Sequence, residues 1–213
     1  MPILVGGTGL YVRTLLKGIA PVPPIDPQIR ASVRGNGVAE NLAELMPLDP
    51  VAANTLNPGD TTRVARALEV VKSTGKTLTE WQRQCEGGIG NDIKLLPLVL
   101  LPPRPWLYER CDRRFAEMVE QGAVTEVQAL LAKKLDPNLP VMRAIGVAEL
   151  GAYLTGETTL ERAIAAGQQA TRRYAKRQYT WFAHQPPTEW ERFHEPLVGD
   201  SIDRALALFA DPE

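Results

Sequence analysis

The chain has 213 residues, 44% of them hydrophobic and 23% charged, with 24 Lys plus Arg against 25 Asp plus Glu and a formal net charge of -1. This balance excludes a disordered chain and a globally basic nucleic-acid binder, and it leaves enough apolar material for one sizeable core or a core with a small satellite. No stretch approaches the roughly 20 apolar residues of a membrane span, and two cysteines and two histidines are too few for a disulfide framework or a histidine-rich metal centre.

Met1 leads into Pro-Ile-Leu-Val-Gly-Gly with no basic start of a signal peptide. The expectation is a soluble, cytoplasmic, mostly helical protein. Pro2 to Val5 is a short apolar run ending at Gly6-Gly7, which predicts a buried strand and a tight turn. Residues 9–18 (GLYVRTLLKG) predict a helix. Residues 20–27 (APVPPIDP) cannot be helix interior, because proline lacks the amide donor, and they read as a linker.

Residues 28 to about 86 are polar and helical in short segments. Asp49-Pro50 and Asp60 are helix starts. Thr61 to Thr74 predicts a helix stopped by Gly75, and Thr77 to Glu80 spells a capping box. This region predicts a small helical satellite. Residues 95–101 (LLPLVLL) predict a second buried strand, closed by Pro102-Pro103. Helices are expected over 104–121, 124–135 and 142–155. The longest starts at a capping box, Thr158 to Glu161, and reaches about His184; a last one follows Asp200.

The strand, glycine turn and helix at the front, and the later LLPLVLL run, look like pieces of a parallel α/β sheet. Two strands are too few for one. Either the fold is a small α+β one, or the remaining strands lie N-terminal to Met1; the second is the expectation.

Gly75-Lys76-Thr77 matches the end of a phosphate-binding loop, G-x-x-x-x-G-K-[ST]. The first glycine would fall at Val70, and a charged helical run precedes it instead of a strand, so the match is a helix end. Gly6-Gly7-Thr8-Gly9 is different. Glycines after a strand let a ligand approach the backbone, and the following helix offers free N–H groups to an anion. The same residues also suit an ordinary strand–helix turn.

Arg63 and Arg66 share a helix face with Glu69, as a binding surface or as solvated ion pairs would. Arg110 and Arg114 lie on one ridge, with Arg104 and Arg113 near. Facing a cleft, their guanidinium forks suit a diphosphate; facing water, they signify little. The densest cluster is TRRYAKRQYTWF, residues 171–182. Arg172 stacks beside Lys176 and Arg173 beside Arg177, followed by Gln178, Tyr179, Thr180 and Trp181. Cations interleaved with aromatics suit an RNA backbone and splayed bases, and a cationic helix end complementing its dipole would look similar. No nucleophile set is apparent, and His184 and His194 have no nucleophile beside them.

Taken in order, GGTGLYVRTLLKG, DPQIR, DPVAANTLNPGDTTRVARALEV, TGKTLTEWQ, RFAEMVEQGAVTEVQALL, RAIG and TRRYAKRQYTWF cover most of the chain. As an ordered series they resemble one family, the tRNA dimethylallyltransferases, also called tRNA isopentenylpyrophosphate transferases. The resemblance implies an α/β fold: the mostly helical remainder of a P-loop NTPase-like parallel-sheet core, residues 1–26 and 87–213, with an inserted small helical domain, residues 27–86, that grips the anticodon stem-loop. It implies transfer of a dimethylallyl group from dimethylallyl diphosphate to N6 of adenosine 37, in tRNAs reading codons that start with U, with Mg²⁺ helping the diphosphate to leave. It implies no protein metal ligands, and a monomer suffices for the tRNA grip.

Residue by residue, Thr8 matches a threonine that contacts the target nucleotide. Arg30, Thr62, Arg63, Arg66, Arg143, Lys176, Arg177, Gln178, Thr180 and Trp181 match tRNA-contacting stretches. Gly6, Gly7, Arg110 and Arg114 match the surroundings of the diphosphate. The chain departs from the family where Val147, not Tyr, follows Gly146. It also holds neither the family's phosphate-binding loop nor its Asp-Ser-x-Gln segment, whose Asp is the general base. The expectation is a parent transferase, with residues 1–213 alone inactive. A dimethylallyltransferase acting on free adenine nucleotide and a non-catalytic RNA-binding module are the alternatives; the inserted region and the KRQYTWF helix argue against the first.

Overall fold

The computed structural model describes residues 2–209. In chain order its helices are α1 (Gly9–Lys17), α2 (Pro27–Gly35), α3 (Val38–Leu48), α4 (Pro50–Thr55), α5 (Thr61–Thr74) and α6 (Leu78–Gln82). Strand β1 (Leu98–Leu100) follows, then α7 (Arg104–Met118), α8 (Val124–Ala132), α9 (Val147–Leu154), α10 (Leu160–His184), strand β2 (Glu191–Phe193) and α11 (Ser201–Ala207). The result is a mostly helical α/β arrangement with a small parallel sheet. Its residues fall into two compact units, Leu10–Leu95 and the remainder.

The Leu10–Leu95 unit is built on α5. Asp60 caps that helix by accepting from the Arg63 amide at 3.0 Å. Gly75 ends it in the left-handed conformation at φ +71, where a side chain would be strained. Between these signals the sequence places Val64, Ala67, Leu68 and Val71 on the buried side. Val33 of α2, Leu45 of α3 and Ala53 of α4 close the core over them. Asp49 caps α4 through the Ala52 amide, and Thr77 and Glu80 form a reciprocal capping box at α6.

Backbone hydrogen bonds tie the two ends of this unit. Ile19 and Glu86 form an antiparallel bridge, and the Ile89 and Gly90 amides donate to the carbonyls of Leu15 and Leu16. Gly18, at φ +85, lies against the Glu86 carbonyl, so only glycine fits there.

In the other unit β1 and β2 run parallel, with Val99 opposite Arg192. Helices α7 and α10 pack with opposite chain directions: Arg104 meets Tyr179, Asp112 meets Arg172, and Phe115 meets Gly167. Val127, Val147, Leu150 and Ala163 form the core between α8, α9 and α10.

Several sequence expectations are corrected here. Residues 2–5 form no strand; Ile3, Leu4 and Val5 are exposed, because none of the described residues hydrogen-bonds to their backbone. The LLPLVLL run contributes three strand residues, with Val99 buried and Leu100 exposed, so it has one covered face and not two. β2 is a strand that the sequence reading did not anticipate. Gly122, at φ +107, breaks the helical run where the sequence places its stop, and the chain turns there, through Val119–Ala123, into α8. The cap of α10 is Thr159, accepting from the Arg162 amide, and not Thr158.

Candidate nucleic-acid interface

The C-terminal half of α10 contains no glycine or proline after Gly167, so it runs unbroken to His184 and displays its side chains at fixed helical spacing. Arg173, Lys176, Arg177, Thr180, Trp181 and His184 line an open groove of about 570 Å³. Arg177 lies over the Tyr174 ring at 5.5 Å, and Trp181 meets Phe182 edge-on with ring centroids 4.9 Å apart. Stacking of this kind holds a flexible guanidinium near an aromatic face while leaving its N–H donors outward. Among the described residues Lys176 and Arg177 have no carboxylate partner in this unit.

The glycine turn lies against the same stretch of α10. A Cβ on Gly7 would come within 2.5 Å of the Gln178 amide nitrogen, and one on Gly9 would overlap the Trp181 ring. The glycines here therefore serve close approach. Thr8, partly buried, lies between them. Gly7, Thr8, Gln178 and Trp181, far apart in sequence, thus become neighbours; Gly6, at the start of the turn, is exposed with nothing near its Cα hydrogens.

Arg110 lies over the Trp106 ring at 4.9 Å, and Arg114 is exposed on the same ridge of α7. Arg113, on another face, sits between Glu109 and Glu117. Arg104 lies over Tyr179 at 4.8 Å, while the Tyr179 hydroxyl donates to the Leu101 carbonyl at 3.4 Å. Burial pushes the Cys111 thiol pKa up, helped by Asp112 and opposed by Arg114 and Arg172. Arg172 is committed to Asp112 at 2.5 Å and is a packing residue between α7 and α10. Arg143 does not line the groove; its Nη2 donates to Asn138 Oδ1 at 2.7 Å in the short turn Pro140–Arg143 ahead of α9.

In the Leu10–Leu95 unit, Arg63 pairs with Asp60 at 3.2 Å and Thr62 is exposed at the start of α5. Arg30 and Arg66 converge from α2 and α5 on the carboxylate of Glu69, at 3.9 and 3.8 Å. Arg34 joins them, donating from Nε to Glu69 Oε1 at 2.7 Å. That bond and the Glu69 charge hold the Arg34 pKa above its ordinary value. The sequence reading missed Arg34, although its spacing four residues after Arg30 puts both on one face of α2. No local signal marks the stack of Arg104 on Tyr179, because its partner lies on a different helix.

Among the described residues no three His, Cys, Asp or Glu side chains are grouped to hold a metal ion, and no helix is long and apolar enough to cross a membrane. The family profile described as IPP transferase matches residues 1–185. The chain belongs to the IPP transferase family.

The chain is 62% identical over 203 residues to the tRNA dimethylallyltransferase of Sphingopyxis alaskensis, covering 95% of the chain and 66% of that relative. It is 60% identical over 192 residues to the tRNA dimethylallyltransferase of Erythrobacter litoralis, covering 90% of the chain and 61% of the relative. Its structure is similar to that of the full-length tRNA isopentenylpyrophosphate transferase from Bacillus halodurans, with a TM-score of 0.57 and 30% identity, covering 95% of this chain and 62% of that one. A eukaryotic dimethylallyltransferase acting on tRNA is similar with a TM-score of 0.64 and 27% identity, over 83% of this chain and 46% of that one. The chain thus spans less than two thirds of the length of these four relatives.

Proposed function

We propose that this chain serves dimethylallyl transfer to tRNA: the group moves from dimethylallyl diphosphate to N6 of adenosine 37, in tRNAs that read codons starting with U. The observation that carries the reading is the seating of Gly7-Thr8-Gly9 on α10 at Gln178 and Trp181, beside the cations Lys176 and Arg177, which have no carboxylate partner in their unit among the described residues. A hydroxyl, an amide and an aromatic face meet there next to positive charge, which is what an extruded purine nucleotide and its phosphate require. Membership of the family, and relatives described as tRNA dimethylallyltransferases, support the reaction class.

The chemistry is a substitution at the allylic carbon. The N6 lone pair forms the new C–N bond, the C–O bond to diphosphate breaks and its electrons leave with the diphosphate, and N6 gives up one proton to a base. Positioning of the amine and stabilisation of the departing charge are the tasks left to the protein. Thr8 orients the target nucleotide. Gly6, Gly7, Arg110 and Arg114 receive the diphosphate. Lys176, Arg177, Gln178, Thr180, Trp181 and Arg143 hold tRNA, as do Arg30, Thr62, Arg63 and Arg66 from residues 27–86, the part proposed to grip the anticodon stem-loop. Residues 1–26 and 87–213 form the proposed core.

Mg²⁺ is proposed to accompany the diphosphate. The described side chains do not fit a metal site of their own, since no three His, Cys, Asp or Glu side chains are grouped among them, and the residue roles above do not depend on the ion. The protein works as a monomer in the cytoplasm. Residues 1–213 hold no phosphate-binding loop and no Asp-Ser-x-Gln base, so this chain alone binds tRNA without completing transfer.

The test mixes the chain with labelled dimethylallyl diphosphate, Mg²⁺ and an anticodon stem-loop carrying A37, and follows binding and transfer together. Binding without transfer, with no competition by AMP, is expected. Rapid transfer would place the base among residues 1–213, and competition by AMP would replace tRNA by a free nucleotide.

A further inference from the structure

We infer that Glu69 is a positioning residue for the RNA-gripping arginines Arg30 and Arg66, and that Arg34 is the lock that fixes Glu69. The inference rests on the reading above that α2 and α5 hold tRNA, and it concerns residues to which that reading gives no role.

Glu69 is an unusual residue for its place. It lies in the buried stretch of α5, and its side chain is 0% exposed. A lone buried carboxylate is costly and persists only when cations and donors compensate it. Here the compensation is uneven. Oε1 accepts the Nε of Arg34 at 2.7 Å. Oε2 is buried and accepts no hydrogen bond; Arg66 Nη1 lies 3.8 Å from it and Arg30 Nε 3.9 Å.

That asymmetry divides the labour. Arg34 spends its donor on the carboxylate and holds it in one orientation. Arg30 and Arg66 are drawn to the same buried charge without donating to it, so their guanidinium donors stay available to another anion. Their side chains are 50% and 38% exposed, so an external ligand reaches them. One carboxylate among three guanidiniums leaves a local excess of two positive charges. A phosphodiester of an RNA backbone, which accepts paired N–H donors, fits between Arg30 and Arg66. The buried charge offsets the mutual repulsion of the three cations and lowers the entropy lost when two long side chains close on the phosphate. Arg63 and Asp60 differ, since both partners of that pair reach solvent.

The decisive variant is Glu69→Gln in the full 213-residue chain, titrated with an anticodon stem-loop RNA at several salt concentrations. Simple charge counting predicts tighter binding, because a negative charge is removed. Positioning predicts the opposite: affinity weaker by roughly tenfold in folded protein, and a log–log salt slope shallower by about one phosphate contact. Thermal melting run beside the titration reports folding, and Glu69→Asp, which restores the charge, recovers part of the affinity. Equal or tighter binding by folded Glu69→Gln overturns the role.

Arg34→Gln covers the case in which Glu69→Gln does not fold, because Arg34 is on the surface. Releasing Oε1 lets Arg30 and Arg66 turn inward, so affinity falls severalfold, yet Arg34→Gln adds little to the loss caused by Arg66→Gln alone. Additive losses would make Arg34 an independent contact and defeat the inference. Lys176→Ala, in the other unit, separates the two readings. If wild-type chain shows no stem-loop binding, or Lys176→Ala binds as wild type does, the tRNA reading itself fails.

Discussion

Gly167 of α10 faces the ring of Phe115 on α7 so closely that a Cβ at that glycine would overlap Cζ of the ring. Phe115 is 5% exposed, and it also lies 3.4 Å from the position a Cβ would take at Gly146, so its ring is confined between the two glycines. The missing side chain at residue 167 therefore sets the distance between the two longest helices. We expect Gly167→Ala to cost about 1–3 kcal/mol through overpacking. Urea midpoints would measure this, and Phe115→Leu in the same background should recover part of the loss. An unchanged midpoint for Gly167→Ala would mean that the helices can slide apart freely.

The two glycines of the turn should respond unequally. Gly7 faces the flexible end of Gln178, whereas Gly9 faces the rigid Trp181 ring. Gly7→Ala should be absorbed by a rotation of the glutamine amide, with a small effect on stem-loop affinity. Gly9→Ala must displace Trp181 or the turn, and should weaken binding by more than about tenfold if both are used as proposed. Equal affinities for the two variants would detach the turn from the RNA interface.

Lys176 and Arg177 have no carboxylate partner in their unit among the described residues, so each is free for phosphate. The double variant Lys176→Ala/Arg177→Ala should lower the slope of log affinity against log salt by about 1.4–1.8. A parallel salt dependence with reduced affinity would instead indicate that the cations act by packing the groove.

The capping box of α6 carries a pH signature. The Thr77 amide and hydroxyl both donate to Glu80, and these bonds hold its carboxyl pKa below the ordinary range. A depressed folded value means the contribution is present above the unfolded pKa and is lost as pH falls through the folded one. We expect the Glu80 carboxyl resonance to titrate at lower pH than in Thr77→Ala. An identical midpoint in both proteins would show that the box is not formed in solution.

The two cysteines should separate by reactivity. Cys85 is exposed, while Cys111 is partly buried with its thiol pKa raised by burial. Since the thiolate is the reactive form, an aromatic disulfide reagent at neutral pH should modify Cys85 first and Cys111 slowly. Simultaneous modification would argue that α7 opens readily from α10.

Much of the helical unit was legible because its signals are local. Asp60 before α5, Gly75 after it, Asp49 before α4 and the Thr77–Glu80 box all act within one turn of the backbone, and each is found where the residue type places it. The strands were less legible. β2 is Glu191–Phe193, a short and largely polar segment whose strand partner, β1, lies far back along the chain. Pro2 to Val5 carries the apolar pattern of a strand, but a strand exists only where another backbone pairs with it.

The residues of the candidate interface divide in the same way. Residue types and spacing alone determined that 171–182 is a helix bearing cations and aromatics, that a glycine turn precedes α1, and which family the ordered segments resemble. Only tertiary structure decided that the turn rests on Gln178 and Trp181, that Arg172 is spent on Asp112, and that Arg30, Arg34 and Arg66 gather around Glu69. The physical reason is that a guanidinium's role depends on the nearest carboxylate or ring in space. Helical periodicity reveals such neighbours within one helix, whereas partners on another helix are set by how the elements pack.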